Sequence, residues 1–198
     1  YDGRQFTVFR NQPDEPNSLS DNYILAIDEG TAGRLYLATF GGGLVVYDPR
    51  TQRFQGYPEN PNDPQAGPIS SAAICITVDS KNRVWMGGYK SALSRFDPEN
   101  GRFKHYPHAQ KEGPGFKGER CRDILEDRQG RIWVGTDQGL NLYNEDSDSF
   151  QLIRQFTRDG VPAMVRDIQQ GEGDNLWIAT WGAGLYHFNP KTGRVRSW

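Results

Sequence analysis

The chain has 198 residues, with 23 Lys and Arg against 25 Asp and Glu, for a formal net charge of −2 at pH 7. That balance gives no reason to expect nucleic acid or an anionic membrane surface as a partner, and no stretch approaches the ~20 apolar residues of a membrane span. Hydrophobic residues are sparse at 35% and aromatics plentiful at 12%, while 23 Gly and 12 Pro predict many turns and no long helix. The opening Tyr1-Asp2-Gly3-Arg4 does not read as a signal peptide, as expected of a mature, trimmed or never-exported chain. Residues 1–10 carry Phe6 and Phe9, spaced like Phe103 and Tyr106 further on, and are expected to form one lone strand.

From residue 22 onward the chain repeats itself. Tyr36, Trp85, Trp133 and Trp177 recur at intervals of about 44–49 residues. Upstream of each stands an isoleucine: Ile27, Ile76, Ile124 and Ile168. Downstream come Leu44, Leu93, Leu140 and Leu185, then Tyr47, Phe96, Tyr143 and Phe188. Further on stand Phe54, Phe103, Phe150 and Val195, then Tyr57, Tyr106, Ile153 and Trp198. Each copy divides into four short β-rich segments. Polar turns such as Asp79-Ser80-Lys81-Asn82 separate the first two, Gly-containing turns such as Gly41-Gly42-Gly43 the next, and Asp48-Pro49 or Asp97-Pro98 the last.

Four short strands per repeat, joined by tight turns, predict an all-β β-propeller. About four four-stranded blades are expected at 22–57, 71–106, 119–153 and 164–198, with the orphan outer strand of a preceding blade at 1–10. Runs such as Ile74-Cys75-Ile76 read as inner strands packed on both faces, and Phe103-Lys104-His105-Tyr106 as a half-exposed outer strand. A stacked solenoid is the weaker rival, since its repeats would be shorter or helical. A spare outer strand has no place in a closed four-blade ring, so the chain is expected to be part of a larger ring.

The stretch Ile124 to Tyr143, with Asp127, Gly130, Trp133, Gly135, Thr136, Gly139 and Leu140, resembles the two-component regulator propeller repeat. The segment Asn17-Ser18-Leu19-Ser20-Asp21-Asn22, after Asp14-Glu15-Pro16, is similar to that family's links between blades. The resemblance implies seven blades per ring and a periplasmic or otherwise extracytoplasmic setting. It also implies the sensor region of a membrane-bound bacterial regulator, such as a hybrid histidine kinase or a diguanylate cyclase, several of which respond to oligosaccharides.

A search for chemistry finds little that the repeat does not explain. His105, His108 and His187 share no metal-ligand spacing with Cys or carboxylates. Cys75 and Cys121 make neither a disulfide framework nor a zinc motif; Cys121 reads as a packed core residue, and Cys75 lies nearer the central channel. Gly41-Gly42-Gly43 lacks the helix and Lys-Ser/Thr of a phosphate loop and reads as a hairpin turn. Asp28, Asp79, Asp127, Asp48 and Asp97 read as turn caps. No cofactor, metal or catalytic residue is expected.

Two groups stand out as candidate ligand-binding residues. Arg122-Asp123 and Arg166-Asp167 recur on innermost strands near the channel, either as an ion-pair ring between blades or as polar recognition of a ligand. The turn between second and third strands begins with Phe40, Tyr89, Asp137 and Trp181, on the face that also carries long links between blades. Aromatics there suit stacking on sugar rings or gripping a protein. Three readings follow: a non-catalytic sensor propeller recognising an oligosaccharide, a propeller lyase or hydrolase on a glycan or lactone-like substrate, or a scaffold that binds protein, including its own copy through open blade edges.

Overall fold

A computed structural model of the chain describes residues 7–89, 93–110, 115–154, 156–158 and 160–198, the side chains of 157 and 158 excepted. Blade one is formed by β1 (Ile24–Glu29), β2 (Leu35–Thr39), β3 (Leu44–Asp48) and β4 (Arg53–Tyr57). Blade two is formed by β5 (Ala73–Val78), β6 (Val84–Gly88), β7 (Leu93–Asp97) and β8 (Arg102–Tyr106). Blade three comprises β9 (Cys121–Glu126), β10 (Ile132–Thr136), β11 (Gly139–Asn144) and β12 (Ser149–Ile153). A two-residue ribbon, β13 (Thr157–Arg158) with β14 (Val161–Pro162), precedes blade four: β15 (Met164–Gln170), β16 (Leu176–Trp181), β17 (Leu185–Asn189) and β18 (Arg194–Ser197). Each blade is an antiparallel meander in sequence order, and the inner strands β1, β5, β9 and β15 lie side by side in that order. This is the all-β propeller architecture that the repeat predicts.

The turns follow from side-chain chemistry. In blade two, Asp79 accepts from the backbone N–H groups of Lys81 and Arg83, from Arg83 Nε at 2.7 Å and from Trp85 Nε1 at 2.8 Å. Asp127 repeats this in blade three with Arg131 Nε at 2.6 Å and Trp133 Nε1 at 2.7 Å. One buried carboxylate therefore closes the first turn and also fixes the indole that dominates the blade's core, leaving no donor unmet. Blades one and four place Gly30 and Gly171 in that slot. Asp28, read from sequence as one of these caps, instead reaches across to blade two, where Val78 N–H donates to it at 2.6 Å.

At the second turn, Thr39, Thr136 and Thr180 each donate from the hydroxyl to the carbonyl of the glycine that ends it, Gly43, Gly139 or Gly184. Gly43 and Gly184 have φ near +74° and +81°, where a side chain would be strained. The third turn is capped by Asp48, Asp97 and Asn189, each accepting from a backbone N–H two or three residues on.

The core lies between blades. Tyr36, Ala38 and Leu44 of blade one meet Ala73, Ile76, Val84, Phe96 and Phe103 of blade two. Trp85, Leu93 and Tyr106 meet Cys121, Ile124, Tyr143 and Phe150 of blade three. Trp133 and Leu140 meet Val165, Ile168, Tyr186 and Phe188 of blade four. The repeated apolar slots are therefore interface positions, and face-to-face burial of this kind holds neighbouring blades together. Leu19 covers Leu37, Val45 and Phe54 on the outward face of blade one, while Ile27 on that face and Trp177 on the outward face of blade four stay 57% and 37% exposed.

Two features lie beyond the reading of the sequence, and one expectation falls largely outside the described residues. Of the expected strand at 1–10, residues 1–6 lie outside the described residues, and residues 7–10 are irregular, with Phe9 packed on Tyr47 and Phe54. The links between blades are anchored by aromatics: Phe116 packs on Phe150, and Phe156 on Tyr186 and Phe188, all buried. Every inner strand carries a β-bulge at the same slot, where Leu25, Ile74, Arg122 and Arg166 are the unpaired residues. Ile74 thus owes its place in an apolar run to the bulge, which bends the strand and re-aims one side chain.

Candidate functional site

The face of interest is the one bearing the turns that follow β2, β6, β10 and β16. Backbone bonds bring the incoming link onto each turn: Phe40 N–H donates to Tyr23 O at 3.0 Å, and Asp137 N–H to Arg120 O at 3.3 Å. Asp137 also accepts from the N–H groups of Glu119 and Arg120, so it pins the link rather than facing solvent as a free charge. Phe40, Tyr89 and Trp181 stand on this face, 53%, 41% and 69% exposed.

The bulges deliver arginines to these aromatics. Arg122 sits over the Tyr89 ring at 4.9 Å from its centroid and donates to the Tyr89 hydroxyl at 3.3 Å. Arg120 covers the same ring at 5.6 Å, and Arg166 lies over Trp181 at 5.3 Å. The hydrogen bond from Arg122, its charge, and the further charges of Arg120 and Arg166 hold the Tyr89 hydroxyl below the usual phenol range. Arg120, Arg122 and Arg166 therefore act on one aromatic neighbourhood spanning blades two to four. Phe40 has no arginine over its ring among the described residues.

The two aspartates go elsewhere. Asp123 is turned into the interface with blade four, where Ile168 N–H donates to it at 2.7 Å. Burial pushes its carboxyl above the usual range, that N–H opposes the shift, and the Asp167 charge adds to it. Asp167 is exposed and accepts from Gln169 Nε2 at 3.0 Å. Among the described residues no ion pair joins Arg122, Asp123, Arg166 and Asp167, because the bulge swings each arginine away from the aspartate that follows it. Asp123 instead sets the docking of blade four, as Thr77 does between blades two and three by donating to Ile124 O at 2.6 Å.

The arrangement offers flat apolar rings flanked by guanidinium groups, suited to a ligand with a stacking face and polar or anionic substituents. Sequence reading missed Arg120; the Arg120-x-Arg122 spacing, with one residue at a bulge, was the available signal. His105 and His108 serve structure. His105 bonds Ser94 Oγ and Pro64 O, and His108 Nδ1 accepts from Gly118 N–H.

Comparison with known proteins agrees with this architecture. Residues 115–138 match the two component regulator propeller model. Histidine kinase P4 of Formosa agariphila is 36% identical over 89 residues, 42% of this chain and 6% of that protein. The extracellular domain of a putative hybrid two component system from B. thetaiotaomicron superposes with a TM-score of 0.55 at 22% identity, covering 99% of this chain and 31% of that one. Virginiamycin B lyase from Staphylococcus aureus superposes with a TM-score of 0.66 at 14% identity, covering 88% and 55%. At these identities the solved structures share the fold. The chain has the β-propeller fold, with four blades among the described residues. Its stretch 115–138 is similar to the two component regulator propeller, and the chain spans only a small part of the curated relative.

Proposed function

We propose that this chain is part of the extracytoplasmic sensor region of a bacterial two-component regulator, where it forms part of a larger propeller ring and acts without catalysis. Its ligand is an oligosaccharide held on the turn face by Phe40, Tyr89 and Trp181, with Arg122, Arg166 and the exposed Asp167 supplying polar selection, while Asp123 serves the docking of blade four. The observation that carries this reading is the exposed Tyr89 and Trp181 under arginines delivered by the inner-strand bulges. The repeat at 115–138 and the likeness to a histidine kinase support the regulatory setting.

The test is a titration of the chain with a panel of neutral and acidic oligosaccharides, followed by tryptophan fluorescence and calorimetry. Binding without product formation is expected, and Trp181→Ala should weaken it about 10-fold or more, given the ~1–2 kcal/mol of an aromatic platform. Turnover of any glycan, or binding untouched by Trp181→Ala and Tyr89→Ala together, would overturn the proposal.

A protein-binding role has its own support in the end faces, where Ile27 at one end and Trp177, Leu185 and Trp198 at the other are exposed. Light scattering distinguishes the two roles. A stable complex through these faces, with no glycan response, favours the scaffold.

A further inference from the structure

We infer that Cys75 and Cys121 are the two halves of an inter-blade disulfide that staples blade two to blade three. Both thiols are free in the structure, yet their Sγ atoms lie 2.9 Å apart, well inside the ~3.5–4.0 Å spacing of ordinary non-bonded heavy atoms. Cys75 is on β5 and Cys121 opens β9, so the contact joins the inner strands of adjacent blades. Both residues are buried, at 6% and 0% exposure.

The other interfaces show what this slot holds otherwise. Blades one and two bring Ala26 and Ala73 to the corresponding positions, and blades three and four bring Asp123 and Val165. The chain has only two cysteines, 46 residues apart. They occupy the two facing slots of one interface, where unrelated packing cysteines would have no reason to meet. Gly87 leaves the room: a Cβ there would come within 2.7 Å of Cys121 Sγ.

The chemistry is thiol–disulfide exchange with a low-molecular-weight disulfide such as glutathione disulfide. One cysteine loses its proton and attacks a sulfur of the oxidant, breaking that S–S bond and releasing one thiol. The second cysteine, also deprotonated, then attacks the mixed disulfide, forming the Sγ–Sγ bond and expelling the second thiol. The two electrons reduce the oxidant, and two protons leave the cysteines and appear on the thiols released. Burial pushes the Cys121 thiol well above its usual range, reinforced by the hydrogen bond and charge of Cys75. The assembled interface is thus inert to exchange, and oxidation belongs to the stage at which blade three docks on blade two. The inference rests on packing at one interface, independent of what the turn face binds.

The test refolds the whole chain from urea in a glutathione redox buffer, quenches with acid, alkylates under denaturing conditions and measures the intact mass. A monomer about two mass units below the reduced chain, with no alkyl adduct and a peptide linking Cys75 to Cys121, is expected. Two alkylated thiols, glutathione adducts or disulfide-linked dimers would overturn the inference. The natural chain should also lose urea resistance when dithiothreitol is added. The double variant C75A/C121V, which borrows the residue types of the neighbouring interfaces, should show no such loss; a redox-dependent shift that persists in it would count against the staple. Should that variant not fold, the linked-peptide measurement on the natural chain decides alone.

Discussion

The outer rims of two successive blade interfaces start from the same repeat and end differently. Between blades two and three, Arg83 and Arg95 each hold a guanidinium 5.4 Å from the Trp85 ring centroid. Asp148 gathers Lys104, Arg95 and the hydroxyls of Tyr106 and Tyr143. Between blades one and two, the positions of Trp85, Arg95 and Asp148 are Tyr36, Val46 and Gly101. There the rim opens into a cleft of about 590 Å³, lined by Arg34, Tyr36, Val46, Gln55 and Tyr57 among others. The apolar slots build the interface in both cases. The polar rim positions, which burial does not constrain, decide whether it is sealed.

The largest effect should come from the carboxylate beneath Trp85. Asp79→Ala leaves the Arg83 guanidinium and the Trp85 indole N–H without their buried acceptor, and should cost about 3–5 kcal/mol in urea unfolding. Blade one has no such lock to lose. Gly30→Asp should not create one, because its Cβ would stand 2.6 Å from the Tyr36 ring. A stability gain from Gly30→Asp would break the comparison.

Asp148 comes next. Although partial burial pushes its carboxyl up, hydrogen bonds from Lys104, Tyr106 and Tyr143 and the charge of Arg95 prevail and hold it well below the usual carboxylate range. The unfolded chain therefore takes up this proton first, at about pH 4. The stability the group contributes is present above that pH and lost as pH falls below it toward the folded value. The urea midpoint should fall on acidification below about pH 4, and Asp148→Asn should flatten that part of the profile. At neutral pH the same variant should cost about 1–2 kcal/mol, since the site is a third exposed. An unchanged acid profile would show that the rim seal carries no stability.

The smallest effect is expected from transplanting the seal. Val46→Arg with Gly101→Asp should bring the open rim toward the closed one. Gly101 already has φ near +70° and Asp148 near +44°, so the backbone admits an aspartate there. The gain should be within about 1 kcal/mol, as exposed ion pairs generally give, read as a small rise in melting temperature. A loss would mean that the cleft is shaped by more than these two positions.

The fold was legible because packing between blades constrains it. Apolar slots such as Ile76, Trp85, Leu93 and Phe103 must recur for blades to stack, and the Gly and Asp-Pro turns punctuate them. The candidate site was legible only in pieces. Tyr89 and Trp181 were readable as turn residues and Arg122 and Arg166 as inner-strand residues, but nothing in their spacing said that they meet. Their meeting depends on a bulge, and one extra residue in a short strand looks like an ordinary step of the pattern, as Ile74-Cys75-Ile76 shows. Asp28 was misaligned for a similar reason: it lies one position after Ile27, whereas Asp79 lies three after Ile76, and aspartate suits both places. The anchoring of the links was not legible because Phe116 and Phe156 fall outside the repeat register, although each fills a gap between blades.

The recurrent bulge has a consequence for how such a surface can change. A residue that pairs with nothing across the strand is released from both inter-blade faces, so its identity is uncoupled from the stacking code. Leu25, Ile74, Arg122 and Arg166 form a row of interchangeable heads on a fixed shank, one for each blade. The chemistry of the turn face can then be rewritten one head at a time, with the scaffold's own arithmetic left undisturbed.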